Sequence, residues 1–170
     1  MFRSYCTRSR ARRYERRPFD ALLLTLGIEV EAEPWGRWFC ERAWNFDTEC
    51  VHGSGAYVEI ARQLCRLAGR ANALGDVRDH VELDAPGGTG RAWIEFTVDG
   101  RQSHRDITVE DDWADMDIVL ALMTELECDG RKFHAKDNGQ AMVLFYLDAA
   151  AARTVNELAG GEQLVALLPE

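Results

Sequence analysis

The chain has 170 residues, 46% of them hydrophobic and 29% charged, with a formal net charge of -9. That is enough for one domain with a core, and no stretch approaches the ~20 apolar residues that a membrane span needs. Residues 1–17 hold seven arginines against Glu15 alone, so the acidity belongs to the remaining body, whose net charge is -15.

An acidic body repels phosphates, which excludes nucleic acid as the partner of the folded part and suits a basic protein. The Arg-rich stretch 1–17 is expected to be a disordered tail, because a block of like charge with few apolar residues cannot pack. Arg16-Arg17-Pro18-Phe19 has part of a twin-arginine export pattern. Asp20 and the glutamates at 29, 31 and 33 interrupt what would follow, so export is not expected. Arginine outnumbers lysine 18 to 2, and Ala and Gly are abundant, a bias of GC-rich bacterial genomes. Five cysteines, odd in number and without a C-x-x-C pair, argue against a disulfide framework or zinc site and for a reducing cytoplasm.

The folded region is expected at residues 18–170, as a single domain. Leu24, Leu26, Ile28, Val30 and Ala32 alternate with polar or small residues, which predicts a strand. Pro34-Trp35-Gly36 is a turn signal, and Arg37 to Phe46 is expected to return as its hairpin partner. Ser54 is the candidate N-cap of a first helix in which Tyr57, Ile60, Ala61, Leu64, Cys65 and Ala68 recur at helical spacing, with Gly69 to end it. Val81 and Leu83 mark a short strand, and 86–90 a glycine-rich loop. Ala92, Ile94, Phe96 and Val98 share one strand face, and Asp99-Gly100 is a type I′ turn signal. The mostly polar return strand from Arg101 suits a guarded sheet edge.

A second helix is predicted from about Asp112 to Leu126, with Asp111 or Asp112 as cap and Asp115 closing a capping-box-like pair. Asp129-Gly130 ends it. A strand over 132–136, a type I′ turn at Asn138-Gly139 and a central apolar strand to Leu147 follow. Asp148 caps a third helix to Leu158, with Val155 and Leu158 inward, and the apolar tail 164–168 must dock. Hairpins dominate, so the fold class is α+β: a mainly antiparallel sheet with about three helices packed on it.

The densest chemical feature is Glu110, Asp111, Asp112, Asp115 and Asp117 around Trp113. Capping and the helix dipole use two or three of these acids, at about 0.3–1 kcal/mol each. The cluster is either a solvated, capped helix start or a surface that receives a cationic partner, with Trp113, and Trp93 if exposed, as anchors. No Ca²⁺-loop spacing is present, and neither metal nor cofactor is expected. Cys50 and His52, two apart beside a helix start, are a candidate nucleophile and base, but without an orienting acid. Ser54 lacks the G-x-S-x-G elbow. His104 and Asp106 share a strand face and read more simply as a surface ion pair than as an acid–base pair.

From Trp93 to Leu147 the order of elements takes a familiar form. A Trp-bearing strand leads through Asp99-Gly100 to an edge strand, then Asp111-Asp112-Trp113-Ala114-Asp115 and a buried helix, then a strand, Asn138-Gly139-Gln140 and an apolar strand. This pattern resembles small cytoplasmic immunity proteins of bacterial polymorphic-toxin and contact-dependent competition systems. The resemblance implies a non-catalytic protein that binds and neutralises one cognate toxin, many of which are basic nucleases. Partner contact is then expected at Glu110, Asp111, Asp112, Trp113, Asp115, Asp117 and Trp93. The Arg-rich tail departs from that group. Two alternatives stand beside it: a small enzyme or ligand-binding domain using Cys50/His52 or His104/Asp106, and an oligomer-forming module.

Overall fold

In the computed structural model, residues 18–83 and 90–168 are described, so the basic stretch 1–17 and most of the 86–90 loop lie outside the description. The class is α+β, with four helices and two antiparallel sheets among the described residues. The helices are α1 (Pro18–Leu26), α2 (Ala56–Ala68), α3 (Met116–Leu126) and α4 (Ala149–Leu158). One sheet has the order β1-β6-β5-β7, from Ala43–Asp47, Ala141–Asp148, Arg131–Asp137 and Val165–Ala166. The other has the order β2-β3-β4, from Leu74–Val81, Ala92–Val98 and Arg101–Asp106.

The first element corrects the sequence reading. Residues 18–26 are helical, not extended, and Leu23 is buried while Leu22 is exposed. Proline suits the first helical position, and a run of Ala and Leu favours helix; these outweigh a short alternation. The segment after it forms only a loose hairpin, through a single bridge between Glu29 and Trp38. Its expected return strand is reduced to β1, which pairs with β6 instead, Trp44 opposite Leu144 and Phe46 opposite Met142. Gly27 sets how closely this hairpin lies on β1. A Cβ there would stand 2.4 Å from the Asn45 nitrogen, which donates to the Gly27 carbonyl at 2.9 Å.

The central strand β6 is flanked on both sides, as its two apolar faces require. The Asp99-Gly100 turn has both residues at positive φ, 49° and 78°, which is the I′ geometry. At Asn138-Gly139 only the glycine is positive, so that turn is not I′. Asp129 and Gly130, at 54° and 70°, instead make the tight reversal from α3 into β5. On α4, Ala152 is buried and Val155 half-buried, but Leu158 is 57% exposed and not inward. The tail docks as β7 on β5, with Leu164 buried.

The main core lies between α2, α3 and the sheets. Tyr57, Ile60 and Leu64 of α2 meet Leu122, Met123 and Leu126 of α3, with Phe96 and Phe133 from the two sheets. Each such side chain contributes about 1.5–3 kcal/mol by leaving water. This packing fixes the starts of α2 and α3 side by side, and that junction carries the acidic cluster.

Candidate functional site: an acidic helix entrance

Helix α3 begins at Met116, four residues later than expected, and its cap is Asp115 rather than Asp111 or Asp112. One Asp115 oxygen accepts from the Asp117 amide at 3.0 Å and the other from the Thr108 amide at 2.7 Å. Its own amide donates to the Tyr57 hydroxyl at 2.8 Å. Burial, first of all, pushes the Tyr57 phenol up to about 12, so the hydroxyl stays neutral at any ordinary pH. Asp115 is thus tied to strand exit, helix start and core at once.

The other acids are differently placed. Asp111 sits at φ 52°, a left-handed position that Asp tolerates, and the turn closes from the Trp113 amide to the Glu110 carbonyl at 3.0 Å. The Asp112 carbonyl accepts from Val51 at 2.9 Å, and the Ala114 amide donates to Thr48 at 2.7 Å, so the backbone is stitched to the loop after β1. Among the described residues, the ion pairs all lie elsewhere, and the carboxylates of Glu110, Asp111, Asp112 and Asp117 accept no hydrogen bond. Glu110, Asp111 and Asp117 are exposed, and Asp112 is half-buried. Trp113 is 40% exposed among them. Glu110, Trp113, Asp115 and Asp117 line one concavity of about 560 Å³.

Trp93 lines no part of this concavity. It stands half-buried on the outer face of the three-stranded sheet, stacked between His80 and His104 at 6.2 and 5.9 Å. Beneath it, Glu95 takes Arg78 on one oxygen and His104 Nδ1 at 3.1 Å on the other. These two partners hold the Glu95 carboxyl below the usual carboxylate range, Arg78 being the larger cause. His104 Nε2 reaches Asp106 at 3.5 Å. This is an exposed ion-pair lattice, the plainer of the two meanings of His104 and Asp106. Glu95, which completes it, is two residues from Trp93 in sequence but falls opposite His104 only through strand register.

The Cys50–His52 pair takes a form opposite to nucleophile activation. Burial, then the carboxylate of Asp47, raises the Cys50 thiol to about 11, so it is protonated at neutral pH. His52 is exposed. The expected cap Ser54 also does something else: its hydroxyl accepts from the Val81 amide at 2.9 Å. The carboxylate that closes α2 is Asp79, from β2. It accepts from the amides of Gly55, Tyr57 and Val58 at 2.6, 2.8 and 3.3 Å. No local pattern marks Asp79, because the strand and the helix meet only in the folded chain.

Among the described residues, no three His, Cys, Asp or Glu side chains converge as a metal-ligand set would, and no helix is long and apolar enough to cross a membrane. No protein-family model, curated protein or solved structure matches this chain.

Proposed function

We propose that this chain is a non-catalytic binding protein that receives a basic protein at the 110–117 entrance. In its most concrete form it is a cytoplasmic immunity protein that masks a cognate basic toxin domain. The observation that carries this reading is the surplus of Glu110, Asp111 and Asp117, exposed around the half-exposed ring of Trp113 and without an ion pair among the described residues. Uncompensated like charge raises the potential of a surface and lowers its own stability, a combination that a cationic partner relieves. Asp115 contributes through the helix start that it caps. Trp93 belongs to a different face and leaves the contact set. Against an enzyme stand the protonated Cys50 thiol and the engagement of His104 by two carboxylates on an open sheet face.

The test is affinity capture from the native cell with the tagged full chain, at low and then moderate salt. Retention of one basic protein at equal stoichiometry, released as salt rises, supports the reading. With that protein purified, Glu110→Lys, Asp111→Lys and Asp117→Lys together should slow association by about tenfold or more while the fold persists. Unchanged association overturns the surface assignment.

A further inference from the structure

A second concavity, of about 310 Å³, lies between the N-terminal hairpin, β1 and the first turns of α2. Trp38 and Trp44 are two of its walls, and Glu29 and Glu59 supply two carboxylates. Among the described residues, no lysine or arginine lines it. Each glutamate uses one oxygen in a local bond: Glu29 Oε1 accepts from Gly36 at 2.9 Å, and Glu59 Oε1 accepts from Gln63 at 2.8 Å. Neither joins an ion pair among the described residues, and Oε2 of each is uncommitted. Asn45 adds an amide whose oxygen accepts from Asn138 at 3.1 Å.

Two indole faces are negative by their quadrupoles, and two carboxylates are negative by charge; together they select a cation. A neutral apolar occupant would strip water from both carboxylates and return no partner. The same wall already accepts a guanidinium within the chain: Arg66, which does not line the cleft, stands 3.8 Å from the centroid of Trp38. Its charge is met chiefly by Glu41 at 3.5 Å and acts more weakly on Glu59. Trp44 is held against Phe46 with centroids 4.9 Å apart, and Gly27 permits the close approach that shapes the opening.

The geometry points to this cleft as a binding site for an organic monocation, an alkylguanidinium or alkylammonium. The cationic group lies against Trp38 and Trp44, with Glu29 and Glu59 as its counter-ions. The source is either a free small molecule or an Arg or Lys side chain presented by another protein. The site is separate from the 110–117 entrance and stands whether or not that entrance receives a partner.

The test titrates the ¹⁵N-labelled full chain with ethylguanidinium and follows the indole N–H resonances of Trp38 and Trp44. Saturable shifts at both are expected, with a Kd on the order of 1 mM. The neutral isostere N-ethylurea should produce none, and Glu29→Gln with Glu59→Gln should weaken binding by about five- to tenfold. N-acetyl-arginine amide binding tighter than ethylguanidinium assigns the site to a presented side chain, and equal binding assigns it to a free cation. No saturable shift up to about 50 mM, equal shifts from N-ethylurea, or unchanged affinity in the double variant overturns the proposal. Should the double variant unfold, the contrast between ethylguanidinium and N-ethylurea on the natural chain still decides.

Discussion

Helices α2 and α3 start within hydrogen-bond reach of each other, yet their entrances are built in different ways. The α2 entrance has no local side-chain cap: Gly55 is left-handed at φ 100°, and the acceptor for three amides is Asp79, 24 residues ahead of Gly55. The α3 entrance is capped from within by Asp115, and four more carboxylates crowd around it without side-chain hydrogen bonds among the described residues. Both need one acid for the same reason, that the first amides of a helix have no internal acceptor. What exceeds that need at α3 is the surplus that the proposed partner contact would use. The acidic cluster therefore divides into one structural carboxylate and a surplus.

Asp79→Ala should produce the largest loss of stability. It orphans three amides, one of them that of the buried Tyr57, and is expected to cost about 2–3 kcal/mol in urea unfolding. A loss under about 0.5 kcal/mol would mean that the α2 entrance does not depend on β2. Asp115→Ala should follow at about 2 kcal/mol, since it removes acceptors from Asp117 and Thr108. Tyr57→Phe, which removes only the hydroxyl that meets the Asp115 amide, should cost about 1 kcal/mol. A result equal to wild type would uncouple the two entrances.

The alkaline limb sharpens the picture of the junction. Cys50 and Cys65 are both raised from an ordinary 9.0 to about 11, chiefly by burial. A group whose folded pKa lies above its unfolded value contributes stability that is complete below the unfolded pKa and is lost as pH rises through the folded one. Thermal unfolding should therefore be insensitive to these thiols below pH 9 and fall between about 9 and 11, less steeply in Cys50→Ala. At pH 8 the same shift lowers the Cys50 thiolate population by about a hundredfold, so its alkylation should be slow, as followed by mass spectrometry. Rapid alkylation of Cys50 would contradict the protonated junction and revive a nucleophile there. The smallest stability effect is expected from Glu110→Gln, Asp111→Asn and Asp117→Asn together, within about 0.5 kcal/mol of wild type.

The elements legible in the sequence were those whose signal is local. The alternation of Ala92, Ile94, Phe96 and Val98, the Asp99-Gly100 turn, the buried stripe of α3 and the Asp148 cap all hold. The strand read at 24–32 failed because alternation over a few residues competes with the helix preference of an Ala–Leu run after proline. A serine before a helix has the right chemistry for a cap, but Asp79 competes from another strand and wins on charge. The acidic entrance was legible as composition. Which of its acids is structural was not, because that depends on Thr108 and Tyr57 meeting Asp115 in three dimensions. The cleft at Trp38 and Trp44 was invisible for the same reason: its glutamates are 30 residues apart and meet the two tryptophans only in the folded chain.

Urea unfolding of Asp115→Ala beside the triple Glu110→Gln, Asp111→Asn, Asp117→Asn variant tests the division of the cluster most directly. The account predicts a midpoint lowered by a loss of about 2 kcal/mol for the first and a midpoint at or slightly above wild type for the second, with the same denaturant slope in both. A triple variant that loses as much stability as Asp115→Ala would contradict it, because the surplus acids would then be part of what holds the helix start together.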